Sequence, residues 1–147
     1  MDLILWRHAE AEDGSPDAAR KLTKHGREQA RHVADWLKPR LPKRCEVLVS
    51  PAARAQETAS ALGLRFATNA SVGTGAGAPD VIAAAGWPSG KAVLIVGHQP
   101  TLGRVASTLL SGSEADWHFA KGALWWFRHV DGETRLFAVM HPKLAQD

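Results

Sequence analysis

Arg7, His8, Arg54 and His98 are the residues whose types and placement suit chemistry on a phosphoryl group. An uncharged imidazole is a nucleophile, and a planar guanidinium matches phosphate oxygens two at a time. At ~4 Å and an effective dielectric of ~20, each cation attracts a phosphoryl group by roughly 4 kcal/mol per unit charge. His8 comes directly after Leu3-Ile4-Leu5-Trp6-Arg7, and His98 follows Ala92-Val93-Leu94-Ile95-Val96-Gly97. Each histidine therefore stands where a short apolar run gives way to a loop. If the two runs are neighbouring parallel strands, both rings emerge at the carboxyl edge of one sheet, where open α/β sheets place their ligands.

A third segment points to the same edge. Val47-Leu48-Val49 reads as a strand, and Ser50-Pro51 as the cap and first turn of a helix running to Gly63. Arg54 then lies in the first turns of that helix, where exposed amides and the positive helix end also favour an anion. Other helices are expected at 23–38, behind a Thr23 cap, at 79–85 and at 101–110. A short strand is expected within 64–67, and residues 68–79 read as a loop with little to hold it. Residues 123–130 and 134–141 are β-rich and joined by Asp131-Gly132, a hairpin signal. Trp125 and Trp126 should face opposite sides of the sheet, both in the core. The expected fold is three-layer α/β/α: a mostly parallel sheet, helices on both faces and an antiparallel strand near the C-terminus.

The 147 residues suit one domain, spanning 1–147, with 45% hydrophobic and 22% charged residues. No apolar stretch approaches the ~18 residues of a membrane span, and no basic-then-apolar leader pattern is present. Cys45 is the single cysteine, so no internal disulfide forms; a cytoplasmic monomer is expected, with Cys45 packing at the second strand. The net charge of +3 is unevenly spread, because nine of the 18 basic residues lie between Arg20 and Arg44. Such a flank raises encounter rates with anionic partners. Without interleaved aromatics it does not read as a nucleic-acid surface.

The ordered set of Arg7-His8, Leu22-Thr23, Gly26, Ser50-Pro51, Arg54-Ala55, Glu57-Thr58 and Gly97-His98 resembles the histidine phosphatase (phosphoglycerate mutase-like) superfamily, and within it the short phosphohistidine phosphatases of the SixA type. The resemblance implies that His8 is the nucleophile and that Arg7, Arg54 and His98 cradle the phosphoryl oxygens. It implies hydrolysis through phosphorylated His8, with no cofactor and no metal. The substrate it suggests is phosphohistidine in a protein, such as a histidine-containing phosphotransfer domain.

Two positions depart from the family pattern. Ala9 replaces the usual glycine, which requires that its φ not be positive. The carboxylate general acid of larger relatives has no counterpart, since residues 64–79 contain no Asp or Glu. A general acid contributes ~10²–10⁴-fold, so alkyl phosphoesters should be poor substrates. Glu10, Asp13 and Asp17 are the possible proton donors nearby; Glu57 and Thr58 are read as holding the second helix. A small-molecule phosphatase for a phosphoamide, nucleotide or sugar phosphate is the alternative enzyme. A phosphate-binding module without turnover is the alternative from another class.

Overall fold

The computed structural model describes residues 1–146. In it β1 (Asp2–Arg7) and β4 (Val93–Gly97) run parallel and adjacent, with Arg7 level with Gly97. Both strands are apolar because helices cover both of their faces. β2 (Glu46–Val49) pairs in parallel with β4, and β3 (Ala67–Thr68) with β2. β5 (Leu124–Val130) is antiparallel to β1, and β6 (Glu133–Met140) completes the order β3-β2-β4-β1-β5-β6. The turn at Asp131 and Gly132 has φ of 52° and 76°, the pair of positive values that a two-residue type I′ hairpin needs.

Alternation along β1 divides the core into two layers. Leu3 and Leu5 pack against α3 (Ala78–Ala85) and α4 (Thr101–Ser111) through Val81, Leu102 and Val105. Ile4 and Trp6 meet α1 (Lys24–Leu37) and α2 (Ala53–Ser60) through Val33, Leu37, Ala55 and Ala59. Each large side chain fully buried this way contributes about 1.5–3 kcal/mol. The short α5 (Pro142–Ala145) adds Ala145 to the second layer. Trp125 joins the first layer and Trp126 the second, as their adjacent positions on a strand require.

Three elements differ from the sequence reading. α2 begins at Ala53 behind an extended Ala52, because the Ser50 side chain accepts from the Ala52 amide in a turn before the helix. β3 is two residues long and displaced toward Thr68. The segment after it is not loose: Asn69 donates from its amide to Val49 O, its side chain accepts from Ser71, and Val72 is buried in a single helical turn, Ala70–Val72.

Gly26 fixes how α1 approaches the loop after β1. A Cβ there would lie 2.0 Å from the Glu10 carbonyl oxygen, so only glycine permits the contact. Thr23 accepts from Gly26 as the α1 cap and donates from its own amide to Glu10 O.

Candidate active site

The parallel pairing of β1 with β4 carries both histidines out of the sheet together. The His8 amide donates to Gly97 O at 3.1 Å, and the two rings stand 5.2 Å apart, centroid to centroid. His8 is 8% exposed, His98 4% and Arg54 6%. Arg54 reaches back from α2 and directs Nε at His8 Nε2, 3.3 Å away. A cavity of about 220 Å3 is lined by Arg7, His8, Arg54 and His98. Arg20, Thr74, Gln99 and Lys121 share its wall, making four cations around two imidazoles.

His8 is held at both ring nitrogens, His98 at one. His8 Nδ1 lies 2.7 Å from its acceptor, the Ala9 carbonyl oxygen; donating there leaves the Nε2 lone pair on the cavity side, where it accepts from Arg54 Nε. Ala9 does not have positive φ, so its side chain is accommodated where glycine is customary. Thr58 accepts from the Ala9 amide and donates to Arg54 O, tying the loop after His8 to α2. Glu57 does the same by accepting from the Leu22 amide. Both residues therefore hold the loop to the helix.

His98 Nε2 lies 2.7 Å from the fully buried Ser50 Oγ. Ser50 already accepts from Ala52, so its hydroxyl hydrogen is best used toward Nε2. The hydrogen of neutral His98 then sits on Nδ1, a buried atom without a partner among the described residues. Arg7 has the same property. Nη1 donates to Phe119 O, and the buried Nε has no partner. Buried donors without acceptors are costly, and both belong to residues that line the cavity.

Both imidazoles are uncharged at neutral pH. Burial pushes His8 down to about 3; the Ala9 carbonyl opposes the shift, while His98, Arg54 and Arg7 add to it. Burial and then Arg54 push His98 down to about 4, with Asp17 opposing. Desolvation, more than the neighbouring cations, is the cause of the neutrality of His8.

The proton-donor candidates fall elsewhere. Glu10 turns away, accepting from the Thr23 hydroxyl at 2.8 Å, and does not line the cavity, because the Gly26 contact holds its backbone against α1. Asp13 is exposed and lines a separate recess. Asp17 holds Arg54, accepting from Nη1 through its carbonyl and from Nη2 through its carboxylate, and it also pairs with Arg20. Those bonds, that to Arg20 first, keep the Asp17 carboxyl below its usual range. Among the described residues no cluster of three or more His, Cys, Asp or Glu could hold a metal. The Cys45 thiol, pushed up to about 11 by burial, stays protonated.

Arg20, Lys121, Thr74, Gln99 and Ser50 escaped the sequence reading as members of this site. Lys121 had a signal: it precedes β5, and the start of an antiparallel strand lies at the carboxyl edge of its parallel neighbours.

Comparison with known proteins agrees with this geometry. The family model of the histidine phosphatase superfamily (branch 1) matches residues 3–73, which include Arg7, His8 and Arg54. Phosphohistidine phosphatase SixA of Escherichia coli (strain K12) is 38% identical over 64 residues, 43% of this chain and 40% of that protein. The solved structure of protein histidine phosphatase SixA with tungstate superimposes with a TM-score of 0.83 at 26% identity, over 97% of this chain and 98% of that one. A phosphohistidine phosphatase SixA structure from Nakamurella multipartitia gives 0.75 at 28%, over 96% and 95%.

Proposed function

We propose that this chain, which matches the histidine phosphatase superfamily model over residues 3–73 and has the fold of the short SixA-type proteins, removes the phosphoryl group from phosphohistidine in a partner protein, through a phosphorylated His8. The observation that carries the reading is the state of His8: Nδ1 engaged by Ala9 O, Nε2 uncharged and facing a cavity walled by cations.

In the first step His8 Nε2 attacks phosphorus. The bond from phosphorus to the substrate nitrogen breaks, and that nitrogen leaves as a neutral imidazole after taking a proton from water. Arg7, Arg54 and the Nδ1–H of His98 bear on the phosphoryl oxygens as charge shifts onto them. In the second step water attacks phosphorus, the bond to Nε2 breaks, and inorganic phosphate departs with His8 restored. Asp17 accepts from Arg54 Nη2, so an entering phosphoryl group competes with that carboxylate for the guanidinium. The arginines supply the charge neutralisation that a metal supplies elsewhere.

The leaving group sets the substrate class. No carboxylate lines the cavity among the described residues, and Asp17, bonded to Arg54, is held ionised by Arg20 and Arg54, so an alkoxide would depart without a donor, whereas imidazole leaves once protonated by solvent. The relative solved with tungstate holds an oxyanion of phosphate-like shape. No helix among the described residues is long and apolar enough to cross a membrane.

The test compares kcat/KM for a phosphohistidine-bearing protein with that for phosphoserine and sugar phosphates. The reading expects the phosphohistidine substrate to lead by at least ~100-fold. Equal rates, or faster phosphoester hydrolysis, would instead assign the site to small molecules.

A further inference from the structure

Beside the catalytic cavity lies a second recess of about 370 Å3, within the ~300–1,000 Å3 of small-molecule sites. The two are continuous in their walls. Thr74 lines both, and Ser50, in the wall of the recess, is bonded to His98 in the cavity. Their chemistry differs sharply. The cavity holds Arg7, Arg20, Arg54 and Lys121; the recess is built from small neutral residues such as Ala52, Ser71, Gly73 and Ala76. Its single charged lining residue is Asp80 at the start of α3, whose carboxylate accepts from the Gly77 amide at 2.9 Å.

We infer that this recess receives the departing group of the substrate and that Asp80 selects against departing groups with negative charge. The inference rests on the reading of His8 as the nucleophile. A phosphoryl group drawn to the cations leaves the rest of the substrate beside Thr74, which lines both spaces. A second phosphate or a carboxylate there meets Asp80 with no cation in the wall of the recess itself. A neutral or cationic group meets no penalty, and a cationic one is attracted. Small walls leave room for a ring together with the chain that carries it.

Three phosphoramidates with the same reacting bond test this: phosphohistamine, phosphoimidazole and phosphorylated imidazoleacetate, whose departing groups are cationic, neutral and anionic. In the wild-type protein kcat/KM should fall in that order, by about three- to tenfold from first to last, since Asp80 is exposed and its field screened. Asp80→Asn keeps an acceptor for Gly77 and should bring the three within about twofold. Asp80→Lys should invert the order.

An order absent from the wild type, or unchanged in both variants, would overturn the inference. So would a uniform loss across all three substrates in Asp80→Asn, which would make Asp80 a participant in the shared chemistry. If none of the three is hydrolysed, the His8 reading fails. The recess is then judged by the dissociation constants of the same compounds, which must follow the same order and respond to Asp80→Asn.

Discussion

His8 and His98 reach neutrality by being buried, and that has a cost in acid. Their folded values of about 3 and about 4 lie below the ~6.5 of an unfolded chain, so between those limits the unfolded state binds more protons. Stability is therefore complete above about pH 6.5 and falls as pH drops toward 4. The expected loss between pH 7 and 5 is roughly 2 kcal/mol per histidine, seen as a lower urea midpoint; His8→Asn should flatten that slope. Ser50→Ala tests the tautomer of His98. It should lower kcat about tenfold with little change in KM and shift the His98 nitrogen resonances, while Ser50→Thr restores both. That Arg7, His8, Arg54 and His98 meet around one cavity was legible because each stands at a strand end or shortly beyond one. Ser50 was misread as a helix cap because its sequence signal, serine before proline, is the same for either use.

Strands and helices deliver these side chains by edge position. β1, β4 and the hairpin were legible because continuous apolar runs and an Asp-Gly turn state them locally. β3 and the following turn were not, since two strand residues and one buried Val72 owe their shape to the chain beside them. The contact between α1 and the loop after His8 is equally nonlocal. Gly26→Ala places a methyl group into the Glu10 carbonyl. It should cost about 1–3 kcal/mol in thermal or urea unfolding and weaken catalysis by displacing the loop that Ala9 belongs to. Unchanged stability would mean that α1 shifts freely, contrary to its buried face.

On the scale of the whole molecule, the cations divide into a group around the cavity and a flank. Lys24, Arg27 and Arg31 are exposed along α1, which begins near the catalytic edge because Thr23 is bonded to Glu10, two residues past His8. An acidic phosphoprotein would be guided there. Reversing charge at Arg27 and Arg31 should slow dephosphorylation of a protein substrate about tenfold at low salt and leave a small phosphoramidate unaffected; equal effects on both would place the flank in the site. The claim on which all of this depends is the covalent intermediate. Phosphorus NMR of the protein quenched during turnover of a phosphoramidate should show an acid-labile resonance of a phosphorylated imidazole nitrogen, absent in His8→Ala. Hydrolysis that continues in His8→Ala with no such resonance in the wild type would contradict it.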